Sequence, residues 1–131
     1  MYTIRKEFHF SASHNLEGLC DGHPCSRIHG HNYVVTVELR SCHLNKAGFV
    51  RDYRELGHIK RFIDEALDHK HLNDFLPFNP TSENMAKHFY ELFKKTTPEL
   101  VAVEISETPK THCRYEPFDN PFCKNDDDGA V

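Results

Sequence analysis

The sequence lacks the features of a membrane-embedded, secreted or fibrous chain. No apolar run approaches the ~18 residues that a membrane helix needs. The opening stretch, MYTIRKEFHF, has no apolar h-region of the signal-peptide kind, so the expected location is the cytoplasm. Neither an internal repeat nor a low-complexity linker divides the chain. A basic excess is also missing: 16 Lys and Arg stand against 20 Asp and Glu, a formal net charge of −4. Nucleic-acid binding normally needs a basic face. The expectation is therefore no nucleic acid and no membrane.

What is present fits a single folded unit. The chain has 131 residues, within the usual size of one domain. Apolar residues make up 38% and charged residues 27%, which excludes a disordered chain or a coiled coil as the main architecture. Histidine occurs 11 times and cysteine five times. An odd cysteine count without a secretory leader reads as reduced thiols rather than a disulfide framework. Both counts direct attention to a metal site or a catalytic thiol. Residues 1–117 read as the domain. Residues 118–131, with Asp126, Asp127 and Asp128 in one run, read as a loosely ordered tail.

Periodicity places the elements. Tyr2, Ile4, Phe8, Phe10 and Ala12 share one parity and predict a strand over 2–12, with His14 continuing that face. Gly18, Gly22 and Pro24 mark a long loop. A second strand is expected over 29–41, with His29, His31, Tyr33, Val35, Val37 and Leu39 on one face. Phe49 and Val50 form a short third extended piece. Asp52 and Glu55 suggest a capping box, followed by a helix through Leu56, Ile59, Phe62, Ile63, Ala66 and Leu67. Thr81 or Ser82 caps a second helix with Met85, Phe89, Leu92 and Phe93 on its apolar side. Pro98 ends it. Strands over 100–107 and 111–116 complete an α+β order, with an antiparallel sheet and both helices on one side.

Four constellations carry chemistry. In His29-Gly30-His31 the two rings share a strand face, and Gly30 leaves the pair uncrowded. Catalytic zinc uses three protein ligands and an open position, and His14 is the economical third. Two unrelated strand histidines are the plain alternative. Cys25, four residues before His29, has the place of a base or nucleophile whose pKa a nearby metal or cation lowers. Cys20 is a rival thiol, and either could be a fourth ligand. Asp68-His69 suits a proton relay or a helix C-terminus whose histidines complement the dipole. Glu107 ends a core-facing strand. It suits the guanidine-like edge of a heterocycle, or a strand end in solvent.

Together these residues resemble one family. S-A-S-H-N-L at 11–16, C-S-R-I-H-G-H at 25–31, L-D-H-K-H-L-N at 67–73, N-P-T-S-E-N at 79–84 and S-E-T at 106–108 are similar to the 6-pyruvoyl-tetrahydropterin synthase family. The likeness runs from about Phe8 to Glu116. The Cys-x3-His-Gly-His spacing resembles its 6-carboxytetrahydropterin synthase branch, which serves the queuosine pathway. The resemblance implies a tunnelling fold: a four-stranded antiparallel sheet with two helices packed on one face. It implies homo-oligomeric rings, commonly hexamers, with sites between subunits. It also implies Zn2+ on His14, His29 and His31, with Cys25 as base. His69 oriented by Asp68 would be the relay, Glu107 the pterin anchor, and Thr81 and Ser82 further substrate contacts.

The implied activity is a zinc-dependent lyase. It would convert 7,8-dihydroneopterin triphosphate to 6-carboxy-5,6,7,8-tetrahydropterin, releasing acetaldehyde and triphosphate for queuosine or another deazapurine product. Arg27 is a candidate for the triphosphate. The alternatives are pyruvoyl-type triphosphate elimination, a side-chain-cleaving aldolase, or a non-catalytic zinc- or pterin-binding module. Cys20 and His23 lie in the loop that carries the expected base, which leaves that assignment open.

Overall fold

A computed structural model describes residues 1–118. The expected tail, apart from Phe118, lies outside the described residues. Two long strands form the centre. β1 (Tyr2–His14) and β2 (His29–Ser41) pair antiparallel from Tyr2 opposite Ser41 to His14 opposite His29. β1 runs two residues beyond the expected strand, so its last ring stands beside the first ring of β2. Alternation holds along both: Phe8, Phe10, Ala12 and His14 are buried, as are Tyr33, Val35, Val37 and Leu39.

The sheet has five strands rather than the expected four, in the order β3-β1-β2-β4-β5. β3 is only Lys70–His71 and lies parallel to β1, opposite Ala12 and Ser13. Two residues are too short to show a period, so no pattern could announce this strand. β4 (Leu100–Thr108) and β5 (Thr111–Tyr115) extend the other side antiparallel. A register shift in β4 opposite Glu38 and Leu39 puts Leu100, not Val101, across from Leu39. Leu100, Val103 and Ile105 thus join the main core, while Val101 is buried outside it. The extended piece expected at Phe49–Val50 is a loop, closed by Asn45: the Phe49 N–H donates to Asn45 Oδ1 at 3.0 Å.

The first helical run is less regular than expected. Asp52 accepts the Arg54 N–H at 3.0 Å and starts a 3-10 turn over Tyr53–Leu56. Glu55 does not complete a capping box but takes Arg51 at 2.9 Å. α1 (Gly57–Phe62) follows, then a π turn over Ile63–Leu67 closed by the Asp68 N–H on the Ile63 carbonyl at 2.9 Å. Such wide turns often sit at functional sites. Here it releases the chain at Asp68, beside the edge of β1. α2 (Leu72–Phe75) is one turn. α3 (Ser82–Lys94) starts at Thr81, whose Oγ1 accepts the Asn84 N–H at 3.1 Å.

Leu56, Ile59, Ile63 and Leu67 from the first run and Met85, Phe89 and Phe93 from α3 close over one face of the sheet as a single core. Each such side chain contributes about 1.5–3 kcal/mol on burial. His14 is the only histidine among the fully buried described side chains. It lies where this core reaches the strand ends.

Candidate active site

Three imidazoles converge at that edge. His14 closes β1, and His29 and His31 open β2. His14 and His29 are direct cross-strand partners, and His31 lies opposite Ala12. The ring centroids are 4.5, 5.0 and 4.9 Å apart for the pairs His14–His29, His14–His31 and His29–His31. One ligand-capable atom from each lies within 4.8 Å of the others. The triad could therefore hold a metal ion.

The hydrogen bonds decide which nitrogens face inward. His14 Nδ1 lies 2.8 Å from the Pro80 carbonyl, and His29 Nδ1 lies 2.7 Å from the Arg27 carbonyl. A carbonyl only accepts, so both Nδ1 atoms carry the proton. The two Nε2 atoms stand 3.0 Å apart, and when both rings are neutral they turn two lone pairs toward one point, which suits a shared cation. His31 Nε2 is buried and has no hydrogen-bond partner. Buried polar atoms are otherwise almost always paired, so this nitrogen too fits a metal ligand. Burial holds the pKa of His14 and His31 below the usual imidazole value, which favours the neutral, ligating form. Neutral imidazoles held by carbonyls from the second shell are the usual zinc arrangement.

Tyr33 backs the triad, a role that sequence reading missed. Its ring stacks on Phe10 at 4.8 Å and meets His14 and His31 edge-on. Its hydroxyl lies 3.2 Å from His14 Nδ1. The Tyr33 parity was legible, but nothing in sequence separates a core tyrosine from one touching a ligand ring.

Glu107 stands across the mouth, with Oε2 3.7 Å from His31 Nε2. It lines a cavity with Thr81, Ser82, Leu16 and Cys113. Glu107, the expected pterin anchor, and the hydroxyls of Thr81 and Ser82 thus line one cavity. Cys25 sits half-exposed in a 3-10 turn, Pro24–Ser26. The turn is tied back to the end of β1 by the Leu16 N–H on the Cys25 carbonyl at 2.8 Å. Two side-chain amides pin the start of this loop. Asn73 exchanges hydrogen bonds with the Asn15 backbone (2.9 and 2.8 Å), and Asn79 does the same with Glu17 (3.0 and 3.1 Å). Both asparagines lie in the quoted motifs, yet their type alone does not reveal such long-range bridges.

Asp68 caps the end of the first helical run, as expected, and with His69 it forms the corner into β3. His69 has φ 59°, a left-handed conformation uncommon outside glycine. Its N–H donates to the Ser11 carbonyl at 2.7 Å, and the Ser11 N–H donates to Asp68 Oδ1 at 2.9 Å. Asp68 Oδ2 then meets His69 Nδ1 at 3.0 Å. The Ser11 amide, then the His69 contacts, hold the Asp68 carboxyl below its usual range. The His69 side chain is 83% exposed. Arg27 is exposed, and what it gives the site here is its carbonyl. Cys20, Cys25 and Cys113 are free thiols. Cys42 is disulfide-bonded, where the odd count predicts reduced thiols rather than a disulfide framework.

Comparison with known proteins follows the same lines. The 6-pyruvoyl tetrahydropterin synthase family matches residues 3–117. A Bacillus subtilis protein named 6-carboxy-5,6,7,8-tetrahydropterin synthase is 31% identical, over 88% of this chain and 86% of that one. A Synechocystis protein of the same name is 37% identical, over 88% of this chain and 93% of that one. The solved structure of Caenorhabditis elegans 6-pyruvoyl tetrahydropterin synthase is 32% identical with a TM-score of 0.78, covering 88% of this chain and 95% of that one. The chain belongs to the 6-pyruvoyl tetrahydropterin synthase family.

Proposed function

From that membership, we propose that the chain is a zinc-dependent lyase of the 6-carboxy-5,6,7,8-tetrahydropterin synthase type. Its substrate is 7,8-dihydroneopterin triphosphate, and with one water it gives 6-carboxy-5,6,7,8-tetrahydropterin, acetaldehyde and triphosphate. The observation that carries the reading is the set of inward Nε2 atoms on His14, His29 and His31, with the Glu107 carboxylate 3.7 Å from the orphaned one. A metal site and an acceptor for a heterocycle edge thus share one mouth. Two relatives named for this product, at 31 and 37% identity, support it; pyruvoyl-type elimination is the second reading, since the Caenorhabditis elegans 6-pyruvoyl tetrahydropterin synthase is 32% identical.

His14, His29 and His31 would hold the zinc, which supplies Lewis acidity toward the substrate's side-chain hydroxyls. Glu107 accepts two parallel N–H bonds from the pterin's amino edge and fixes the ring. Thr81 and Ser82, on the same wall, complete that pocket. Cys25 takes a proton as thiolate, and His69, held by Asp68, returns one to the leaving fragment. Arg27 faces the triphosphate.

A relay histidine 83% exposed suits a site completed by a second copy of the chain. We therefore include homo-oligomeric assembly, a hexamer, in the proposal. The queuosine pathway and a cytoplasmic location belong to it too.

The deciding test is product identity on purified protein given 7,8-dihydroneopterin triphosphate, with metal content measured on the same sample. Acetaldehyde with a carboxylated tetrahydropterin supports the reading. A product that retains the three-carbon side chain assigns the pyruvoyl-type reaction instead. No turnover, with zinc bound, leaves a binding module.

A further inference from the structure

The Cys25 turn is held by a residue that the chemistry above does not use. His23 precedes the turn Pro24–Ser26, and its Nδ1 accepts the Cys25 backbone N–H at 3.0 Å. Its carbonyl accepts the Ser26 N–H at 3.1 Å and the Ser26 Oγ at 2.7 Å. Its own N–H donates to the Cys20 carbonyl at 3.1 Å. Pro24 follows with its φ already fixed, as at the start of a helix. The imidazole thus does what Asn, Asp or Ser does at a helix N-cap: it accepts an amide that would otherwise point at water.

The two thiols of the loop differ in consequence. Cys25 is fixed from both sides, its N–H on His23 and its carbonyl on Leu16. Leu16 is two residues beyond the ligand-bearing end of β1 at His14. Cys20 is exposed, and its backbone tie runs through His23. A base must be held in register with the proton it removes, since small misplacement costs large factors in rate.

We infer that His23 is the positioning residue for the proton-abstracting thiol, and that it makes Cys25 rather than Cys20 that thiol. The inference rests on the lyase reading but concerns a bond that exists without substrate. His23 acts through a lone pair on Nδ1 and not by proton transfer.

The test compares His23→Ala with His23→Asn in the full chain, each checked for zinc content. In His23→Ala, kcat falls roughly five- to tenfold, the size of a lost cap, with KM unchanged. Amide exchange at Cys25 accelerates by a similar factor. His23→Asn restores both, because its side-chain oxygen accepts the same N–H. If His23→Ala keeps wild-type kcat and Cys25 protection, the inference is overturned. Equal loss of kcat in both variants, with Cys25 protection restored only by Asn, also overturns it, because the ring would then act in the chemistry. Should the wild type give no acetaldehyde, the lyase reading fails instead. The exchange measurement then still decides whether His23 caps the turn.

Discussion

β2 carries two polar clusters, at opposite ends and on opposite faces. Glu38, on the open face, is nearly buried. It accepts from Arg114 and Arg40 and lies 4.0 Å from Arg5, which also donates to Glu104 at 3.0 Å. Every charge there has an opposite. At the other end His29 and His31 face the core side with His14, the His14 and His29 Nε2 atoms stand 3.0 Å apart, and His31 Nε2 has no hydrogen-bond partner. The first cluster completes itself and so reads as architecture. The second leaves a buried nitrogen without a hydrogen bond, which is how a candidate ligand site differs from a satisfied polar patch of equal density.

That contrast breaks most visibly at His31. On the proposed zinc site, His31→Ala leaves two of three ligands. Zinc falls to trace amounts, and activity falls beyond ~10³-fold, since Lewis-acid stabilisation is worth several kcal/mol. Metal analysis beside an acetaldehyde assay reads both. A variant that kept zinc and turnover would remove the triad from the mechanism.

Cys25→Ala separates metal from proton transfer. Zinc stays, while turnover drops by about 10²- to 10⁴-fold, the usual worth of a positioned base. If Cys20→Ala caused that loss instead, the base would be the other thiol.

At the opposite end, Glu38→Ala should cost stability and not metal. It strips the acceptor from Arg114, and charge-assisted bonds of this kind are worth about 1.5–3 kcal/mol. A lowered Tm with unchanged zinc is the expected result. The pH sign follows from the carboxyl. The Arg114 hydrogen bond holds the Glu38 pKa below its ordinary 4.5, against the opposing effect of burial. Stability from this group is therefore full above pH 4.5 and is lost as pH falls through the folded value. Wild type and Glu38→Ala converge in Tm as pH drops below 4.5. A constant gap would mean that the carboxylate charge is not what Arg114 recognises.

The sequence disclosed these two ends unequally. The triad was legible because period two fixes which strand residues share a face, and His14, His29 and His31 obey it. The long strands and α3 were legible for the same reason. The Glu38 cluster was not, since its partners lie up to 76 residues away in sequence and surface charges carry no period. β3, the π turn and the left-handed His69 were also illegible. The corner at Asp68 and His69 is set by bonds to Ser11, and β3 by pairing with Ala12 and Ser13, rather than by local preference. The Asn73 and Asn79 bridges are hidden because their partners, Asn15 and Glu17, lie 58 and 62 residues away in sequence.

Gly30 sharpens the comparison at the smallest scale. Sequence reasoning treats it as clearance between two ligand rings. In the pleat its side position lies on the face opposite the rings. An added Cβ would meet the Ala12 carbonyl at 3.5 Å, an ordinary contact, and the backbone there is not left-handed. Strand glycine also costs more chain entropy than alanine. Gly30→Ala should therefore leave zinc content unchanged and hold or raise stability by up to ~1 kcal/mol. Thermal unfolding with metal analysis checks both. Loss of zinc in this variant would show that the ring pair depends on backbone freedom at Gly30, and that the two faces of β2 are less independent than the pleat requires.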